Sequence, residues 1–284
     1  MKTALCISGG SLDGFCLGVG VLLALEDRGV LDANKLELHG KLDCYGTSAG
    51  AALACWVAAG RPIGLADGLA AQLRALRDAD IRDPRPLWQA RMAWIDNIWD
   101  GRKLRTMLHR LMPSAADLRA TAPTRRWHAY AVPMSAAAAM DVAFGCYHGH
   151  DAPADVCAAS MALPMIFPPV ALADGKAYQD GGTACNLPLP ANPHAYDRIV
   201  CVVLSGAQRK YQAPRSVLSG ALTQIGRLLA GQTETSIAWA RTWPHCTIIR
   251  PPFDGAGGML HLDHRMIEAG AKHTSDQLER EGLK

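Results

Sequence analysis

Three short stretches of this sequence combine residue types that could do chemistry. The first, Gly46-Thr47-Ser48-Ala49-Gly50, fits G-x-S-x-G. A serine on a sharp turn between a strand and a helix is pushed toward solvent, and small neighbours let the two elements pass closely. The helix that follows offers free N–H groups and positive dipole to an anion forming at the serine. Ser48 is therefore a candidate nucleophile; the bland alternative is a small-residue turn that packs a helix on a sheet. The second stretch is Ser8-Gly9-Gly10-Ser11-Leu12-Asp13-Gly14. Glycines after a first strand let backbone amides converge on an anion, either a phosphate or the oxyanion of a tetrahedral intermediate. It fits neither G-x-G-x-x-G nor the lysine-bearing phosphate loop. The third is Asp180-Gly181-Gly182, which by pattern alone reads as a type I′ hairpin turn.

These stretches need elements to hold them. Ala4-Leu5-Cys6-Ile7 is a short apolar strand running into the first glycine turn, followed by a helical period from Phe15 to Leu25 that Gly29 stops. A second strand ends at Leu42-Asp43-Cys44-Tyr45, just before Gly46, and the Ala-rich run Ala51 to Ala59 reads as a buried helix. Strand, glycine turn and helix, twice over, is the grammar of a parallel α/β sheet. The two turns would then lie side by side, with amide donors beside a nucleophile. Further on, the sequence predicts helices over Ile63–Asp80 and Leu104–Met112 and strands over Trp127–Val132, Ala139–Tyr147 and Arg198–Leu204. A long helix from Val217 to about Thr242, a strand at Thr247–Arg250 and a helix from Asp263 complete one sheet, so residues 1–284 are expected to form a single domain.

Composition narrows the function classes. The 284 residues are 49% hydrophobic and 19% charged, which argues against wholesale disorder, and a net charge of +3 is too mild for a dedicated nucleic-acid binder. The nine cysteines form no C-x-x-C. Most fall singly on apolar stretches (Cys6, Cys16, Cys44, Cys55, Cys157, Cys201), as small hydrophobes from a reducing compartment, with no disulfide framework or zinc cage. No acidic run supplies calcium ligands, and no cofactor or metal is implied. The start of the chain is too short in apolar residues for a signal peptide. The longest apolar stretch, Cys157–Ala173, is broken by Pro164, Pro168 and Pro169, so no membrane span is expected. A cytoplasmic protein follows, meeting lipid only from outside.

The three motifs in this order resemble the patatin-like phospholipase family. The resemblance extends to Ala159-Ser160-Met161-Ala162-Leu163-Pro164-Met165-Ile166-Phe167-Pro168-Pro169-Val170, to Asn186 and Pro188 after the D-G-G, and to Asn97–Leu104. It covers most of the chain and weakens beyond about residue 205. It implies a three-layer α/β/α fold with a mainly parallel sheet and a Ser–Asp dyad without a catalytic histidine. Ser48 is then the nucleophile and Asp180 the base. Gly9, Gly10 and Ser11 align with the oxyanion loop, Gly46 and Gly50 with the elbow, and Gly181 and Gly182 with the D-G-G. The implied reaction is hydrolysis of lipid acyl esters through an acyl-serine; an acyltransferase or a degenerate lipid-binding protein are the alternatives. The family's first loop is usually G-G-G-x-[R/K]-G, so Ser11 stands in place of a glycine and Asp13 in place of a cation. That exchange is expected to disfavour an anionic headgroup near the loop.

Two other readings concern partners. Of the ten histidines, His194, His245 and His261 follow Asp180 in the chain order of a catalytic triad, but only two strands precede Ser48, which does not fit the common α/β-hydrolase topology. Trp88, Met92, Trp94, Ile95, Ile98 and Trp99, with Arg85, Arg91, Arg102 and Lys103 around them, read either as an interfacial helix touching a membrane or as a helix packed on the sheet. Oligomeric state is not legible.

Overall fold

The computed structural model describes residues 1–31, 40–64, 66–84, 97–135, 143–146, 150–205, 217–252 and 261–282. Strand β1, Lys2–Ile7, is apolar from Ala4 onward because both its faces are covered, as expected in a parallel sheet. Alternate residues go to different cores. Leu5 and Ile7 join one cluster, while Ala4 and Cys6 join another on the opposite face.

Helix α1 (Ser11–Asp27) and β2 (Lys41–Thr47) follow, then α2 (Ala49–Ala58), α3 (Leu69–Ala75), α4 (Arg102–Leu111) and α5 (Ala115–Thr121). The remaining strands are β3 (Arg125–Pro133), β4 (Ala143–Cys146), β5 (Val170–Ala171), β6 (Ala177–Asp180), β7 (Arg198–Val202) and β8 (Cys246–Ile249). The remaining helices are α6 (Pro153–Ser160), α7 (Val217–Ala240) and α8 (Arg265–Arg280). The eight strands make one sheet in the order β5-β6-β3-β2-β1-β7-β8, with β4 also on β3. Strands β3, β2, β1, β7 and β8 are mutually parallel; β4 and β6 run antiparallel to β3. Helices α1, α2 and α8 cover one face, and α7 with the segment around Leu187 and Tyr196 covers the other. The result is the mainly parallel three-layer α/β/α fold.

Two expectations change. Ile63–Asp80 is not one helix: Gly68 caps α3 in an extended conformation, and a 3-10 turn at Asp78–Asp80 is all that follows. Gly64, Asp67 and Gly68 interrupt the apolar period there. Helix α5 has no counterpart among the expected elements, although Ser114 and Asp117 form a reciprocal capping box at its start. Of the expected strand Ala139–Tyr147, only Ala143–Cys146 falls within the described residues. Arg85, Trp88, Arg91, Met92, Trp94 and Ile95 lie outside them. At the described end of that stretch, Trp99 is buried, with its ring edge-on to Phe167 at 5.1 Å, and Ile98 is packed on the core. Among the described residues no helix is long and apolar enough to cross a membrane.

Candidate active site

Strand register brings Ser48 and Asp180 together across β3. Thr47, the last residue of β2, pairs with Tyr130, so Ser48 stands level with Ala131 on one side of β3. On the other side Asp180, the last residue of β6, pairs with Ala131 itself. The Ser48 hydroxyl is close enough to the Asp180 carboxylate to favour its charged form. Both lie at the carboxyl edge of the parallel strands, where open α/β sheets place their ligands.

Ser48 occupies a strained backbone position, with φ 54° and ψ −127°, as the N-cap of α2. Its own N–H donates to the Ser160 hydroxyl at 2.8 Å, and that hydroxyl donates to the Tyr130 carbonyl at 2.5 Å. Ser160 is fully buried at the end of α6, and nothing in its local sequence signals this role. It bridges the elbow to the central strand. Ser160→Ala would leave an N–H and a carbonyl buried without their partner, at about 1–3 kcal/mol for each group. A loss of about 2 kcal/mol or more in urea unfolding, with slower chemical labelling of Ser48, is the expected result.

Asp180 is 4% exposed. Burial pushes its carboxyl up to about 6; the Ser48 hydroxyl and the Gly182 N–H, the latter donating at 2.7 Å, pull the other way. A carboxylate at this value is a better match for proton transfer near neutral pH than one at the usual value of about 3.9. The Asp180-Gly181-Gly182 turn is not a hairpin: Gly181–Thr183 forms a 3-10 turn.

The glycine turn after β1 sits against the elbow, since a Cβ on Gly9 would lie 3.3 Å from the Ser48 Cβ. The Gly9 amide is engaged, donating to the Asn186 carbonyl at 2.9 Å, so the loop amides left to face an anion are those of Gly10 and Ser11. These open α1, whose first-turn amides have no partner inside the helix. Ser11 stands at φ 65°, in the left-handed region that favours glycine, and its hydroxyl donates to Asp13 at 2.5 Å. Asp13 is fully buried and also accepts from the Gly14 N–H at 3.0 Å. Its carboxylate accepts from two of the loop's own donors.

Gly46 and Gly50 are where the elbow requires them, with α2 crossing close over β2 and β1. Asn186 is buried between the two turns and donates from Nδ2 to Ser205 at 2.8 Å and to Thr233 of α7 at 2.7 Å. The three histidines lie elsewhere. His261 pairs with Asp78 at 2.5 Å, while His194 and His245 line a cleft of about 270 Å³ by the start of β7. Two thiols are poor nucleophiles: burial pushes the buried Cys16 up to about 12 and the half-buried Cys185 to about 11.

Fold and elbow place the chain among three-layer α/β/α proteins that carry a serine at a strand-to-helix turn. More narrowly, the patatin-like phospholipase model matches residues 5–192, and the chain belongs to that family. Among solved structures it is similar to VipD from Legionella pneumophila, at 16% identity and a TM-score of 0.49, over 98% of this chain and 67% of VipD. It is also similar to the type III effector protein ExoU, at 14% identity and a TM-score of 0.36, and spans 53% of that protein's length. No curated protein matches the chain.

Proposed function

We propose that the protein hydrolyses acyl esters of lipids, with Ser48 as nucleophile and Asp180 as its base. The observation that carries this reading is a serine on a strained elbow, set across β3 from a carboxylate that burial has made more basic. In the first half-reaction Ser48 Oγ attacks the ester carbonyl while its proton passes to Asp180. The Gly10 and Ser11 amides face the oxyanion that forms. Collapse of the intermediate breaks the ester C–O bond, and Asp180 returns the proton to the departing alcohol. Water then attacks the acyl-Ser48 ester, gives its proton to Asp180, and the fatty acid leaves as Ser48 recovers its hydrogen. Membership of the patatin-like family supports a lipid substrate. The reading treats residues 1–284 as one catalytic unit, supported by a sheet that draws strands from Lys2 to Ile249 and by α8, which packs against α1.

The test is covalent. A fluorophosphonate should add to the purified protein at a single site, the peptide carrying Ser48, and block hydrolysis of p-nitrophenyl esters in parallel. Labelling of another residue, or hydrolysis that survives full labelling, would overturn the assignment.

A further inference from the structure

Helix α7 lies beyond the part of the chain that matches the family model, yet it touches the acid turn. At 24 residues it is about 36 Å long, far longer than the five-residue strand β7 beside it. Its last turns pack on the sheet, where Ile237 and Ala240 are buried with Tyr196 and Ile199. Thr233 and Glu234 are level with the carboxyl edge of the strands: Thr233 accepts from Asn186, and Glu234 pairs with Arg250, the residue after β8. The residues before them therefore run past that edge, on the side of the Asp180-Gly181-Gly182 turn.

One face of this projecting part is fixed by contact. Gln232 Nε2 donates to the Thr183 carbonyl at 3.0 Å. One turn earlier Leu229 abuts Gly182: a Cβ added at Gly182 would lie 3.2 Å from Leu229 Cδ2 and 3.0 Å from Asp180 Oδ1. Ile225 precedes Leu229 by four residues and so shares its face, about 6 Å further out along the axis. Both are only partly buried, Ile225 with one side packed against the main core cluster. Between Val217 and Gly231 the helix carries one charged residue, Arg227. An aliphatic, half-buried face thus runs along α7 from the general base to the core-packed Ile225, where a helix end beyond the sheet would ordinarily carry polar side chains.

We propose that the Leu229–Ile225 face of α7 is the wall along which the substrate's acyl chain lies, and that Leu229 sets the preferred chain length. This rests on the acyl-hydrolase reading for its reaction and adds the subsite to it. An ester carbonyl at Ser48 must lead its apolar tail away from the sheet, and this face offers apolar surface beginning next to Asp180. Burying each methylene against it is worth about 0.8 kcal/mol, so the wall favours long chains over acetate.

The experiment compares p-nitrophenyl acetate, butyrate, laurate and palmitate with wild-type protein, Leu229→Trp, Leu229→Ala and Leu228→Ser. Leu228 is the neighbouring side chain, 53% exposed, on a different face. Leu229→Trp should lower kcat/KM for laurate and palmitate by about tenfold or more, mainly through KM, with acetate changed less than about threefold. Leu229→Ala should move the preference in the opposite direction, and Leu228→Ser should leave the profile unchanged. Equal losses at every chain length, or the same shift from Leu228→Ser, would overturn the proposal. Calorimetric binding of palmitate to Ser48→Ala protein separates the subsite from catalysis. Weakening of that binding by Leu229→Trp upholds the wall even where no ester is turned over, in which case the hydrolase reading alone falls. Palmitate binding that is absent or indifferent to Leu229 overturns the wall alone.

Discussion

Asp180→Asn is expected to lower kcat/KM for acyl esters by about 10³-fold and, at the same time, to make the protein more stable at pH 8. Removing a positioned general base typically costs about 10²–10⁴ in rate. Ser48→Ala should cost at least as much, because the acyl-enzyme can no longer form. The stability gain is what separates the two variants. The Asp180 carboxyl is held near 6 in the fold by burial, above its ordinary value of 3.8. The folded protein therefore binds the proton more tightly than the unfolded chain does. Stability from this group is fully present below about pH 3.8 and is lost as pH rises through about 6. A difference of about two pKa units corresponds to about 3 kcal/mol at pH 8. Asparagine can still accept from the Gly182 N–H while carrying no charge to desolvate. Its advantage in urea unfolding should thus grow by about 1 kcal/mol or more between pH 5 and pH 8. In wild-type protein the same group should make kcat/KM rise with pH through about 6, since the base must be deprotonated to act. A variant equally destabilised at both pH values, or a wild-type profile flat from pH 5 to 7, would count against Asp180 as the buried base.

The parts of this site that could be read from sequence are those whose local string already dictates the local structure. Ser48 follows an apolar strand and precedes an alanine-rich helix, and small residues at 46 and 50 leave few other ways for those elements to meet. Asp180 is the opposite case. Two Asp-Gly pairs lie close together, at 174–175 and at 180–181, and only the first forms a hairpin turn. There Gly175 takes φ 78° and Leu172 and Lys176 bond across the loop between β5 and β6. The second continues into a 3-10 turn because β6 is paired to β3 and its end meets the Tyr130 backbone. That outcome is decided by strand pairing across about fifty residues, which no local pattern encodes; the family resemblance supplied what the pattern could not. Ser160 illustrates a third situation. Its hydroxyl matters because α6 ends beneath the elbow, and a serine in an Ala-rich helix carries no signal of that. Helix α7 was legible as a helix, but its contacts to Gly182 and Thr183 depend on how far it overshoots the strand edge, a tertiary quantity.

Gly50→Ala should be among the most damaging single-methyl changes available in this protein. In an exposed helix the same substitution stabilises by about 0.5–1 kcal/mol, because alanine has less backbone entropy to lose. Gly231, on the open face of α7 with nothing within 4 Å of an added Cβ, provides that reference. At Gly50 the new Cβ would lie 2.4 Å from the Ile7 carbonyl oxygen and 2.5 Å from that of Ser8. Both are backbone atoms of β1 and its continuation, so no flexible side chain can yield. Helix α2 must instead lift away from the sheet. Overpacking of this kind costs about 1–3 kcal/mol and sometimes more. The catalytic cost has its own origin. Ser48 caps α2, whereas Gly10 and Ser11 follow β1, so the displaced contact is the one that sets the distance between nucleophile and loop amides. A misplacement of about 1 Å at such a site can cost about 10²-fold in rate. The expected result is therefore a Tm lower than wild type for Gly50→Ala but higher for Gly231→Ala, with the fluorophosphonate labelling rate of Ser48 reduced about 10²-fold only in the former. If Gly50→Ala protein folded with normal stability and labelled at the wild-type rate, the close crossing of α2 over β1 could not be what holds the elbow against the glycine loop.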